Sequence, residues 1–146
     1  MRFELEMAAL GGIARRSDLR WIGLDDDELL RIMVRGGRRL IRVRQAWYAL
    51  PDADPDAVRA CRMGGRLACA SALRFHGVPV DDDGILHVEM PANAIVRVSE
   101  GERETVRLHW PRRPSSGDRA AVDLEAAWRQ WRRCGDTGRR GIRSTR

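Results

Sequence analysis

The segment from residue 25 to residue 50, DDDELLRIMVRGGRRLIRVRQAWYAL, decides the fold of this chain. Its first part places apolar residues at helical spacing behind a capping Asp25, and Gly36-Gly37 follow, so we predict a helix to about Arg35. Its second part contains two β-prone runs, residues 40–43 and 47–50, joined by a tight turn. This arrangement predicts a hairpin.

Two shorter helices are predicted before this segment. Apolar residues share one helical face over residues 2–10, and two glycines end that helix. Ser17 is the expected N-cap of a second helix that runs through Ile22. Three short helices followed by a hairpin are the element order of a winged helix-turn-helix, which we predict over residues 1–50.

The rest of the chain predicts a smaller module and a final helix, which makes the whole chain α+β. The module is expected over residues 55–111, with a helix capped by Asp54 and a small antiparallel sheet. Its helices are expected at residues 55–63 and 67–76, and its strands at 86–90, 94–98 and 106–110. An amphipathic C-terminal helix is expected over residues 118–134, and the Gly-, Ser- and Arg-rich tail 135–146 is expected to be disordered.

The charge of the chain indicates a polyanionic partner. All 27 basic residues among the 146 are arginine, the net charge is +6, and the pI is near 10.7. Residues 1–50 carry ten arginines against seven acids, the middle of the chain is acidic, and residues 111–146 carry ten arginines against four acids. Because the guanidinium is a fork of donors, it suits phosphate and guanine edges.

Six arginines fall on the predicted third helix and wing, the surfaces that face the duplex in a winged helix. They are the candidate DNA-binding residues: Arg31, Arg35, Arg38, Arg39, Arg42 and Arg44. The competing interpretation is an ordinary solvated arginine surface. The acids at residues 25–28 oppose DNA contact, because a recognition helix usually meets bases through its N-terminal turn.

Cysteine and histidine do not predict a metal site. The three cysteines are odd in number and lack zinc spacing, so we expect buried free thiols in a reducing compartment. His87 and His109 each occupy a polar position in a predicted strand whose residues alternate between apolar and polar. If the two strands pair in register, their imidazoles could approach each other. A zinc site would need more ligands, and neither Cys61 nor Cys69 is evidently placed to supply them. We therefore expect no metal and no cofactor.

Catalysis and membrane insertion also lack sequence support. There is no nucleophile elbow, P-loop or dinucleotide fingerprint, and a nuclease core that needs lysine is excluded. We therefore expect a non-enzymatic protein. No apolar run approaches the ~20 residues that a membrane span needs, and no signal peptide is evident. The expected location is the cytoplasm, without a membrane partner.

An ordered series of short motifs resembles the N-terminal part of AbiEi-type antitoxins. The series covers roughly residues 8–110 and comprises GGIAR (11–15), DL (18–19), GL (23–24), RG (35–36), LIRVR (40–44), WYALP (47–51), GRLACASALR (65–74), HGV (76–78), LHV (86–88) and LHW (108–110). The resemblance implies a winged-helix DNA binder that represses its own promoter in a toxin–antitoxin or phage-defence setting. Many members of that family continue into an antitoxin domain or a restriction-endonuclease-like domain, and we expect neither domain within these 146 residues. The wing turn usually has glycine where Ala46 stands.

These observations predict an antitoxin-like transcriptional repressor whose partner is duplex DNA. The alternative is a protein-interaction module that neutralises or recruits a toxin, phage or host protein without binding DNA. A third interpretation is the remnant of a nuclease fusion. A homodimer is one candidate assembly.

Overall fold

The computed structural model describes residues 2–35 and 39–137, and its mixed helix-and-sheet content confirms the α+β prediction. The first part contains α1 (Arg2–Ala9), β1 (Ile13–Arg15), α2 (Arg16–Trp21), α3 (Asp26–Arg35), β2 (Ile41–Arg44) and β3 (Trp47–Ala49). The second part contains α4 (Pro55–Met63), β4 (Arg66–Leu67), α5 (Cys69–Phe75), β5 (Leu86–Glu89), a 3-10 helix (Glu100–Thr105), β6 (Val106–His109) and α6 (Leu124–Thr137). None of these helices combines the length and apolarity needed to cross a bilayer.

The first sheet is antiparallel, has the order β1-β3-β2, and is covered on both faces. Ala14 and Tyr48 face a core that α1, α2 and α3 complete. Ile13, Val43 and Ala49 belong instead to the larger core, which α4, α5, β5 and α6 complete. Alternate residues of the strands point to opposite faces, so this one sheet contributes to both cores.

The second sheet is mixed, and the prediction of an antiparallel sheet is wrong for its longest pairing. β4 pairs antiparallel with β5, but β5 and β6 run parallel. The connection between them, residues 90–105, is long enough to carry the chain back along the sheet before β6 begins. Residues 94–98, predicted as a strand, lie in this connection and are not a strand. There the Arg97 amide donates to the Met63 carbonyl.

The C-terminal helix α6 begins at Leu124, later than the predicted residue 118. The residues just before it lie beside β4 instead. Ala121 forms an isolated bridge with Leu67. The Asp118 carboxylate accepts from the amides of Ala120 and Ala121, which holds this segment in a turn. Residues 135–137 belong to α6, and the remainder of the predicted tail, 138–146, lies outside the described residues.

The helix caps are confirmed in two of three cases. Asp25 accepts from the Glu28 amide at 2.8 Å, and Asp54 accepts from the amides of Asp56 and Ala57. The prediction that Ser17 caps the second helix is wrong. That helix begins at Arg16, and the Asp18 carboxylate accepts from the Arg15 amide in front of it.

Candidate nucleic-acid interface and a buried cysteine–histidine cluster

Helices α2 and α3 are held together by apolar side chains that leave the outer surface of α3 in solvent. Leu19, Leu24, Leu29 and Ile32 are buried in the core beneath the first sheet. Residues three and four apart lie on one face of a helix, so this packing turns Arg31 outward, and Arg31 is exposed.

Two of the six predicted DNA-binding arginines are exposed among the described residues. Arg31 lies on α3, and Arg42 lies on β2 of the hairpin. Arg35 is the last residue of α3, and Arg38 lies outside the described residues. The structure therefore leaves Arg31 of the helix and Arg42 of the hairpin exposed to solvent.

The other two predicted arginines are engaged in contacts within the chain. Arg39 donates to Glu4 at 2.8 Å, and its guanidinium lies 5.2 Å from the ring centre of Phe3. Arg44 donates to the backbone carbonyl of Cys61 at 2.7 Å, and its guanidinium lies over the Trp47 ring. These two side chains therefore help to fasten α1 and α4 to the hairpin.

The acidic start of α3 is partly neutralised by its neighbour α2. Asp26 pairs with Arg16 at 2.7 Å and with Arg20 at 3.2 Å. Hydrogen bonds from Arg16 and then Arg20 hold the pKa of the Asp26 carboxyl below its usual value. Asp27 and Glu28 are exposed on the same turn. The carboxylate nearest α2 thus occupies two arginines that would otherwise be available to an anion.

A second group of chemically active side chains, the buried cluster Cys69, His87, His109 and Cys134, lies in the other half of the chain. All four residues are buried, and one donor atom from each lies within 4.8 Å of the other three. His87 Nδ1 and His109 Nε2 are 3.1 Å apart. The Cys134 Sγ lies 3.9 Å from that His87 nitrogen and 3.8 Å from that His109 nitrogen.

Four different elements bring the cluster together. Cys69 opens α5, His87 lies in β5, His109 ends β6, and Cys134 lies in α6. The expectation that the two imidazoles could approach each other is confirmed. The expectation that Cys69 is not placed to join them is wrong, because its donor atom lies within 4.8 Å of the other three. Cys61, by contrast, is buried in the main core outside the cluster.

Polar groups around the cluster fix its orientation. His87 Nε2 faces the Asp83 Oδ2 at 3.0 Å, so the other ring nitrogen is left for the cluster. The Gln130 amide oxygen accepts from the Cys69 backbone at 3.0 Å. The buried guanidinium of Arg107 donates to the Cys134 sulfur at 3.3 Å. Each of these contacts restrains a member of the cluster from outside it.

The two sulfurs of the cluster shift each other's pKa in opposite directions. A hydrogen bond from Cys69, together with those from His109 and His87, lowers the pKa of Cys134 although burial opposes the change. The same sulfur pair raises the pKa of Cys69, and burial adds to that effect. The cluster therefore offers two sulfurs and two imidazole nitrogens, a donor set suited to a transition metal.

The prediction that all three cysteines are buried and free is confirmed. The sequence analysis nevertheless missed the cluster, since Cys69 and Cys134 are far apart in the chain and neither stands in a short metal-binding spacing. The sequence did indicate part of the cluster, because His87 and His109 both occupy polar positions in two runs that were predicted as strands. No protein-family model and no curated protein matches this chain.

Proposed function

We propose that residues 2–50 form a winged helix-turn-helix that binds duplex DNA. The observation that carries this proposal is the element order α1-β1-α2-α3-β2-β3 together with the strand order β1-β3-β2. In a winged helix the second helix of the turn motif enters the major groove and the hairpin follows the backbone. Here those elements are α3 and the β2–β3 hairpin.

The positions of the exposed arginines support this proposal. Arg31 on α3 and Arg42 on the hairpin are exposed, whereas Arg16 and Arg20, beside the start of α3, are paired with Asp26. Positive groups on a helix and an adjacent wing are the groups with which a winged helix contacts phosphates. The resemblance over residues 8–110 further supports an antitoxin-like repressor acting at its own promoter.

Binding is tested with the full chain and labelled duplexes, one from the gene's own upstream region and one of scrambled sequence, at two salt concentrations. We expect Arg31→Ala and Arg42→Ala each to weaken binding roughly tenfold, which corresponds to ~1.4 kcal/mol. Each substitution should also lower the salt slope by about one, because one fewer counterion is released. The control Arg59→Ala removes an exposed arginine of α4 and should leave affinity unchanged.

Absence of binding to both duplexes at low salt would overturn the DNA proposal and favour the protein-interaction module. Equal weakening by Arg59→Ala would show that only the overall charge of the chain matters.

A second prediction concerns the acidic start of α3. Asp26→Asn removes the carboxylate that pairs with Arg16 and Arg20, so both guanidinium groups become available to phosphate. We expect tighter DNA binding, mainly at low salt, where phosphate attraction is least screened. The control Asp27→Asn removes the same charge from the neighbouring exposed residue without releasing an arginine. A gain that is equal in the two variants would contradict the arginine-release explanation.

A further inference from the structure

We propose that Cys69, His87, His109 and Cys134 bind one zinc ion as a closed structural site. The first support is distance. A tetrahedral zinc ion holds sulfur at about 2.3 Å and imidazole nitrogen at about 2.0–2.1 Å, which separates neighbouring ligand atoms by roughly 3.3–3.8 Å. The nitrogen–nitrogen separation of 3.1 Å and the sulfur–nitrogen separations of 3.8 and 3.9 Å lie close to these edges.

The second support is the hydrogen bond on the far side of His87. Its Nε2 faces the Asp83 carboxylate at 3.0 Å, which fixes the ring tautomer that presents a bare Nδ1 to the cluster. A histidine that binds a metal through one nitrogen usually donates its other N–H to a carboxylate or carbonyl in this way. A histidine that only filled space in the core would not need a carboxylate partner for its outer ring nitrogen.

The third support is charge. A zinc ion with two thiolates is neutral overall, which is the condition under which a metal centre is tolerated in a protein interior. The buried Arg107 guanidinium beside Cys134 Sγ adds a positive charge, and Asp83 on the opposite side adds a negative one. The surroundings of the cluster are therefore balanced for a divalent ion held by two sulfurs.

The fourth support is the backbone at Cys69. Its φ is +51°, a left-handed conformation that non-glycine residues adopt at a cost. The backbone amide of the same residue donates to Gln130 of α6. Strained residues of this kind persist where the surrounding structure holds them for a purpose. Cys69, held in this conformation, supplies one of the four donor atoms that lie within 4.8 Å of one another.

The chemistry of the donors selects zinc and a structural role. Two sulfurs and two imidazoles in a tetrahedral arrangement suit Zn²⁺. Because four protein atoms fill the coordination sphere, no position is left for water or substrate. The ion would join α5, β5, β6 and α6, so its expected effect is to fasten the C-terminal helix onto the second sheet.

The test is metal analysis of the full chain, produced without a histidine tag and purified under reducing conditions. We expect about one zinc per chain, and a tetrahedral Co²⁺ spectrum with a thiolate charge-transfer band when cobalt replaces zinc. Cys134→Ala and His109→Ala should lose the metal. Their matched controls, Cys61→Ala and His76→Ala, remove a cysteine and a histidine outside the cluster and should retain it.

Because loss of a ligand can unfold the chain, a milder variant accompanies them. Asp83→Ala leaves all four ligands in place, and we expect its zinc affinity to fall about 10–100-fold in competition with a chelator. Asp82→Ala, its loop neighbour, should leave affinity unchanged. Metal-free reduced protein that folds with an unchanged Tm and takes up no cobalt would overturn the proposal. So would a Cys69–Cys134 disulfide in freshly purified protein, or zinc retained by the Cys134→Ala variant.

Discussion

Glu89→Ala is expected to lower the free energy of unfolding by about 3–5 kcal/mol, because it leaves the partly buried guanidinium of Arg66 without its anion. Glu89 in β5 is buried, and Arg66 in β4 donates to its carboxylate at 2.8 and 3.1 Å. Ser115 and Gln130 donate to the other carboxylate oxygen. The substitution therefore breaks an ion pair and removes the carboxylate oxygen that accepts from Ser115 and Gln130.

Equilibrium urea unfolding, followed by far-UV circular dichroism in one buffer, measures this loss. Glu89→Gln keeps an oxygen acceptor and should lose less than Glu89→Ala. Arg59→Ala is the control, because it removes one partner of an exposed ion pair with Asp56 and should change stability by no more than about 1 kcal/mol. A loss for Glu89→Ala as small as that of Arg59→Ala would show that the buried network contributes little to stability.

Gly11→Ala is expected to cost about 2–5 kcal/mol, from two causes that a matched variant separates. Gly11 has a φ of +91°, where a side chain costs about 1–2 kcal/mol. A Cβ there would also lie 2.7 Å from the Ala120 Cβ and 2.9 Å from an Asp118 carboxylate oxygen. Asp118 is held by two backbone amides, so it does not move aside readily, and overpacking adds about 1–3 kcal/mol.

Gly23→Ala isolates the first cause. Gly23 has a φ of +97°, but an added Cβ would meet no atom within 4 Å. We expect this control to lose only the conformational cost of about 1–2 kcal/mol. Urea unfolding of both variants gives the difference, which measures how tightly residues 118–120 pack against the first part of the chain. Equal losses would contradict close packing at this contact.

Local sequence patterns predicted most of the helices and the hairpin, because those signals lie within a few residues of each other. Asp25 and Asp54 illustrate this, since each caps a helix through an amide two or three residues away. Ala46 shows that the hairpin forms even where one local signal is missing. It adopts a φ of +64° in the turn where glycine is usual, so the backbone imposes the conformation despite the side chain. The Ser17 prediction fails because α2 begins at Arg16, which places Ser17 inside the helix, and the Asp18 carboxylate accepts the Arg15 amide.

The direction of β6 and the buried cluster depend on long-range contacts, which single-sequence periodicity does not contain. Alternation marked β5 and β6 as strands but carried no information on whether they run parallel. The histidines on those strands were recognised as neighbours. Cys69 and Cys134 were not, because the packing of α5 against α6 brings them together. Similarly, the sequence showed the charge of Arg39 and Arg44 but not their contacts with Glu4 and the Cys61 carbonyl.

The first sheet contributes side chains to both hydrophobic cores, one on each of its faces. The first half of the chain, α1 to β3, and the second half, α4 to α6, are therefore coupled in stability. Ile13 and Ala49 lie in the strands of the first half, yet each is fully buried in the core of the second half. Unfolding the second half would transfer these side chains to water, at roughly 25 cal/mol for each Å² of apolar surface exposed. Any ligand that binds only the folded second half therefore also raises the folded population of α3 and the hairpin by thermodynamic linkage. Stabilisation can pass through this sheet without any change of shape.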